Sequence, residues 1–258
     1  MIRENTEGLY HSLLRRMEQR ALGKKDDPIV IDEFPGLQGE VAWDPRPISR
    51  SGSERVIKFA FDYAKVRQKK SGKPQSVTCV DKSNVTRGCQ LFRKIFREFA
   101  DSNQDIAVKE AYIDAFTMWL VRNPEDLDIV VLPNMFGDIA TDLASVLQGG
   151  MGMSASANMG PRHMLFEPVH GSAPKHAGKN IVNPIAMIQS VQMMFEALGF
   201  RKKDETLDIC AEILQNSIRG HFEEGAPVTY DLGGTASTSD VGEAIADRCE
   251  RMLKQRFQ

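Results

Sequence analysis

Residues 128–147 read DIVVLPNMFGDIATDLASVL. A short apolar run, Asp128 to Leu132, is followed by a proline and then by helical spacing from Asn134 to Leu147, which predicts a buried strand feeding a helix. Asp138 and Asp142 therefore lie one turn apart on one helix face, close to the strand's carboxyl end, where α/β folds place ligands. Two like charges so placed repel each other. Either they are acids decorating a helix start, favoured by its dipole, or they are oxygen donors for a hard divalent cation. Asp114 opens another predicted helix directly after a strand and offers a third carboxylate at an equivalent strand end, which favours the cation.

Working outward, the same alternation recurs. The spacing predicts a helix capped by Ser53, with Val56, Ile57, Phe59, Ala60, Tyr63 and Ala64 on its apolar side. A strand follows over Gln75–Asp81 and a helix over Arg87–Ala100. Ile106–Ile113 is a strand and Asp114–Val121 a helix. Gly149 to Gly160, rich in Gly, Ser, Ala and Met, marks a passage between domains, here placed at 1–150 and 151–258. Beyond it come a loop from Glu167 to Asn183 and helices near Pro184–Leu198, Asp204–His221 and Ser239–Gln255, with few strands for them to cover. Four prolines between Lys24 and Pro47 predict an extended arm or hairpin. The class is α/β.

Composition narrows the partners. A net charge of −2 over 258 residues gives no reason to expect nucleic acid or an anionic membrane. The four cysteines are widely spaced with no C-x-x-C pair, as for reduced, packed thiols. There is no apolar leader and no run approaching a membrane span, so a cytoplasmic protein is expected.

Three further signals carry chemistry. Val80-Asp81-Lys82-Ser83-Asn84-Val85 stands at a strand end, where Lys82 is either a solvated loop residue or a positioned proton carrier. Tyr10, near Arg3, is either a structural aromatic or a phenol donating a proton beside a guanidinium that clamps a carboxylate. The run His170-Gly171-Ser172-Ala173-Pro174-Lys175-His176-Ala177-Gly178-Lys179-Asn180 is either a surface turn or a backbone cradle for phosphate or ribose. Gly150 to Ala155 fits G-x-G-x-x-A but follows a helix, so the dinucleotide fingerprint lacks its context.

Taken together, seven collinear motifs resemble the β-decarboxylating dehydrogenases that act on isocitrate, 3-isopropylmalate, homoisocitrate and tartrate. They are RENTEGLY (3–10), VDKSNV (80–85), DAFTMWLV (114–121), NMFGDIATDLAS (134–145), FEPVHGSAP (166–174), NIVNP (180–184) and DLGGTAST (231–238). The resemblance implies an isopropylmalate dehydrogenase-like two-domain fold, with 1–150 a dimerisation domain and 151–258 part of a large cofactor-binding domain. It implies Mg²⁺ or Mn²⁺ held by Asp114, Asp138 and Asp142, and a small anionic 2-hydroxy acid whose carboxylate Arg3 holds. Hydride would pass to NAD or NADP, after which the β-carboxylate leaves as CO₂. Lys82 would help remove the hydroxyl proton and Tyr10 would protonate the enol, with Asp114 assisting. The nicotinamide cofactor would lie on Glu167, His170, Gly171, Ser172, Ala173, Pro174, Lys175, His176, Asn183, Tyr230 and Asp231. In the family Lys82 and its neighbouring aspartate come from a second subunit, which implies a homodimer clasped by the arm near Lys24–Pro47.

Two departures qualify this. The family's chain continues upstream of the first motif by roughly a hundred or more residues. The expectation is therefore a fold without the N-terminal part of the large domain, supplied by another polypeptide or left incomplete. The rival to an active enzyme is a non-catalytic dimeric binding or regulatory subunit. Lys175-His176 and Tyr230 resemble NADP-dependent members, whereas Gly233-Gly234 resembles NAD-type ones; NADP is favoured of the two.

Overall fold

The structure, a computed structural model, describes residues 1–10, 21–22 and 44–257. The expected arm over Lys24–Pro47 lies outside the described residues up to position 43. The chain divides into two compact units, Met1–Leu143 and Ala144–Gln258.

The first unit is built on a parallel four-stranded sheet of order β1-β4-β2-β3, with β1 at Ile2–Arg3, β2 at Ser76–Asp81, β3 at Ala107–Tyr112 and β4 at Ile129–Leu132. Its helices are α1 (Arg50–Ser71), α2 (Arg87–Asp101), α3 (Ile113–Arg122) and α4 (Asn134–Leu147). Every residue of β4 is buried, as a strand covered on both faces must be. Val77, Cys79, Ile129 and Val131 face α1 and α2 and join Ile57, Phe61, Phe92, Ile95 and Phe96 in one core. Alternation sends Thr78, Val80, Val130 and Leu132 to the opposite face, where Phe116 and Leu120 of α3 are buried. Because all four strands run the same way, their carboxyl ends share one edge of the sheet, and every site residue expected in this unit follows one of those ends.

Two local expectations need correction. The cap of α1 is Ser49, whose hydroxyl accepts from Gly52 N at 3.0 Å, while Ser53 is fully buried inside the first turn and donates to Ser49 O. On the same helix Phe59 and Tyr63 are exposed and stack on each other, and Phe61 is the buried aromatic. The buried stripe Val56, Ile57, Ala60, Phe61, Ala64 is the one that points at the sheet.

The second unit carries a β-hairpin, β5 (Ala155–Met159) with β6 (Met164–Pro168), and three helices, α5 (Ile185–Lys202), α6 (Glu205–Glu223) and α7 (Thr238–Phe257). Ile185, Ile218, Val241 and Ile245 form its core. The hairpin occupies much of what reads in the sequence as an interdomain passage. Its partly exposed Ala, Ser and Asn positions carry no strand propensity, and pairing with β6 decides the conformation. Among the described residues no helix is long and apolar enough to cross a membrane.

Candidate functional site

The first cluster gathers where β1 and β4 end. Glu4 is buried and accepts from Thr6 N, Thr6 Oγ1 and Glu7 N, which curls the chain back after Arg3. Asn134 then ties the curl to α4, donating from Nδ2 to Glu7 O at 2.8 Å. Its Oδ1 accepts from Arg3 Nε (3.0 Å) and Nη2 (2.7 Å). Arg3 also reaches Asp138 Oδ1 through Nη1 at 2.5 Å, and Tyr10 donates its hydroxyl to Asp138 Oδ2 at 2.6 Å. The guanidinium carbon stands 5.4 Å from the Tyr10 ring centre. Gly137 makes the approach possible: a Cβ there would stand 2.5 Å from Arg3 Cγ and 2.8 Å from its Cβ. The hydrogen bond to Asp138, with some help from burial, holds the Tyr10 phenol above its usual range, so it stays a proton donor. Asn134 was not among the expected site residues, although it opens the NMFGDIATDLAS motif directly after the strand and Pro133.

The second cluster joins the ends of β2 and β3. Lys82 Nζ and Asp114 Oδ1 are 2.6 Å apart. The hydrogen bond from Lys82, with backbone N–H groups at the helix start, holds the Asp114 carboxyl below the ordinary range. Beneath this pair Asp81 is fully buried and accepts two hydrogen bonds from Arg93, at 2.8 and 2.9 Å.

Asp142 lies one turn beyond Asp138 on α4 and is exposed. Their hard oxygen donors fit Mg²⁺ or Mn²⁺, and each Asp138 oxygen keeps a lone pair beside its present hydrogen bond. Two carboxylates are fewer than such an ion takes. Within one chain Asp114 does not join them: β2 lies between β4 and β3, which puts these two strand ends about 10 Å apart. Among the described residues no group of three or more His, Cys, Asp or Glu side chains comes together for a metal. The donors thus fit part, and not all, of such an ion's coordination shell.

In the second unit, His170 to Pro174 form an irregular loop in which Ala173 takes a left-handed conformation (φ 45°), followed by a single 3₁₀ turn at Pro174–His176. Gly171, Ser172, Ala173, Pro174 and Lys175 are all exposed. The ring of His176 lies 6.1 Å from that of Tyr230, and His176 Nδ1 is buried with no hydrogen-bond partner among the described residues. Nearby, Asn183 is buried and donates to Asp231 Oδ2 at 3.1 Å, while Thr229 donates to Asp231 Oδ1. Gly152 leaves room for them, since a Cβ there would stand 2.7 Å from Asp231 Oδ2. The structure thus brings His176 to Tyr230 and Asn183 to Asp231. Glu167 sits on β6 and accepts from Asn158 on β5. An exposed loop with an orphaned ring nitrogen fits a ligand carrying ribose and phosphate groups. The G-x-G-x-x-A run at Gly150 lies in a 3₁₀ turn after α4, without the strand a dinucleotide fingerprint needs.

The family model for isocitrate/isopropylmalate dehydrogenase matches residues 1–245. The chain is 38% identical over 255 residues to the homoisocitrate dehydrogenase of Methanocaldococcus jannaschii, covering 98% of this chain and 63% of that protein. It is 38% identical over 250 residues to a 3-isopropylmalate/3-methylmalate dehydrogenase of the same organism, covering 96% and 66%. Among solved structures, the isocitrate dehydrogenase of Methylococcus capsulatus superposes with a TM-score of 0.76 at 36% identity, over 96% of this chain and 66% of that one. The chain thus spans roughly two-thirds of the length of the relatives it matches.

Proposed function

Because this chain belongs to the isocitrate/isopropylmalate dehydrogenase family, we propose that it takes part in metal- and NAD(P)-dependent oxidative decarboxylation of a small 2-hydroxy acid of the 3-isopropylmalate or isocitrate type. One observation carries the proposal. Arg3, Tyr10, Asp138, Lys82 and Asp114 all lie at or beyond the carboxyl ends of one parallel sheet, in two hydrogen-bonded clusters.

When bound, a divalent cation supplies Lewis acidity and a nicotinamide supplies the hydride acceptor. The chain's own residues do the rest. Arg3, its guanidinium oriented by Asn134, holds a substrate carboxylate with the N–H groups left over. Lys82, once it has given up its own proton, takes the hydroxyl proton through water, and Tyr10 returns a proton to the enol carbon after CO₂ departs. Asp138 and Asp142 supply metal oxygens from one copy, and Asp114, beside Lys82, supplies one from a second. The exposed Met118, Trp119 and Val121 of α3 and Ile139 of α4 support a homodimer that brings the two clusters together. The loop from His170 to His176, with Asn183, Tyr230 and Asp231, takes the adenosine end of the cofactor, and Lys175 and His176 favour NADP. Four free cysteines, two of them buried, fit a cytoplasmic protein.

The test is reduction of NADP⁺ and NAD⁺ by purified protein with Mn²⁺ and a panel of isocitrate, homoisocitrate, 3-isopropylmalate and tartrate. Turnover that disappears in Asp138→Ala is the expected result. No turnover with any of them, alongside intact Mn²⁺ binding, would instead make the chain a binding or regulatory subunit.

A further inference from the structure

Asp81 belongs to the VDKSNV motif but has no assigned role, and Arg93 lies outside the motifs; they form the most deeply buried ion pair described in the first unit, with side-chain exposures of 0% and 11%. Arg93 rises from α2 and meets Asp81 with both arms of its fork. Its Nη2 also donates to Ala111 O on β3 at 3.0 Å, and its guanidinium lies 4.8 Å over the Tyr112 ring. In the β2–β3 ladder Val80 faces Ala111 and Asp81 faces Tyr112. One guanidinium therefore clamps the last two rungs of that ladder from both sides. The residue directly after β2 is Lys82, and Asp114 stands two beyond Tyr112. On the Lys82 side the clamp continues, because Asp81 Oδ1 also accepts from Ser83 N at 2.7 Å, pinning the backbone that carries Lys82.

Stability alone does not account for this arrangement. A buried ion pair roughly offsets its own desolvation, and apolar side chains of the same volume serve a core as well. Neutralising Asp81 requires no bond to the neighbouring strand either. What the shared bond to Ala111 adds is a fixed spacing between two strand ends, and those ends carry Lys82 and Asp114.

We infer that Arg93, acting through Asp81 and the Ala111 carbonyl, is the positioning residue that holds Lys82 against Asp114. The kinetic part of this inference rests on the reading of Lys82 as a proton carrier; the geometric part does not. Two measurements separate them. In the first, the whole protein is acylated briefly with an amine-reactive ester, and labelling of Lys82 is followed by peptide mass spectrometry against Lys58 as internal reference. Loosening an ion pair of this exposure in Arg93→Lys raises Lys82 labelling about two- to fivefold and leaves Lys58 unchanged. Unchanged Lys82 labelling in folded Arg93→Lys overturns the inference, whether or not the protein turns over a hydroxy acid. Should Arg93→Lys fail to fold, the double change Asp81→Asn with Arg93→Gln leaves no lone buried charge and gives the same reading. In the second measurement, a wild type that reduces NAD(P)⁺ shows kcat lowered roughly 100-fold by Arg93→Lys with KM within about threefold. In a Lys82→Met background the same change adds less than about twofold. Equal losses in both backgrounds mean a merely structural arginine and overturn the inference; an inactive wild type overturns the functional reading and leaves the labelling result to decide this one.

Discussion

Gly137→Ala sets two magnitudes against each other. In an ordinary helix interior the change stabilises by up to about 1 kcal/mol, because alanine loses less backbone freedom. Here the added Cβ would meet Arg3 Cγ at 2.5 Å and Arg3 Cβ at 2.8 Å. Those atoms belong to the root of the side chain, so a rotamer change at its tip does not relieve the clash, and β1 or α4 has to move. Overpacking of this kind costs about 1–3 kcal/mol. Displacing Arg3 also weakens its hydrogen bonds to Asn134 and Asp138, worth little more than about 1 kcal/mol in this half-exposed setting. The balance is a loss of about 1–3 kcal/mol, or roughly 3–9 °C in the melting temperature of the unit. If Arg3 binds the substrate carboxylate, KM rises about tenfold as well, since the charge-assisted contacts are worth about that much. Gly242→Ala in α7 is the control, because a Cβ there meets nothing within 4 Å. It should stabilise the second unit by up to about 1 kcal/mol. Calorimetry with steady-state kinetics reads both. A Gly137→Ala protein that melts at or above the wild type with unchanged KM refutes the close approach of Arg3 to α4.

Tyr10 is expected to ionise above the ordinary range of a tyrosine, because Asp138 accepts its proton in hydrogen bonding. The difference in tyrosinate absorbance between wild type and Tyr10→Phe checks this, and Asp138→Ala should return the titration toward about 10 while weakening Mn²⁺ binding. Asp114 has its folded pKa depressed by Lys82, so the stability from that pair is present above the unfolded value of about 3.9 and is lost as pH falls through the lower folded value. Urea unfolding of wild type and Lys82→Met should accordingly differ at pH 7 and converge in strong acid. Gly234→Ala would place a Cβ 1.9 Å from the backbone oxygen of Val228, and the second unit should lose about 3 kcal/mol by the same assay. Phe92→Ala, in the core of the first unit, should cost about 3–5 kcal/mol in thermal unfolding.

Much of this architecture is legible in local sequence. Lys82 and Asp138 are each announced by an apolar run just before them, and in a parallel sheet such runs bring their ends to one edge. What is not legible depends on pairing across distance. Arg93 reads as one more charge on an amphipathic helix until β2 and β3 align Asp81 with Tyr112 beneath it. Asn134 reads as a helix start until the curl after Arg3 supplies Glu7 O. The β5–β6 hairpin hides in a run of small residues because its stability lies in its ladder. Ser49 and Ser53 are equally good caps in isolation, and Glu7, which accepts from the Ser49 amide and hydroxyl, selects the first.

The brevity of β1 has its own consequence. Arg3 enters the sheet through only two paired positions, Ile2 with Val131 and Arg3 with Leu132, at an edge of the sheet, followed by the bond from Glu4 N to Leu132 O. So short an edge opens locally at a free energy far below that of the strands beside it. Amide protons of β1 should therefore exchange orders of magnitude faster than those of Val77 to Val80. A ligand that grips Arg3 would slow that exchange by mass action, which makes β1 a reporter of occupancy built into the fold.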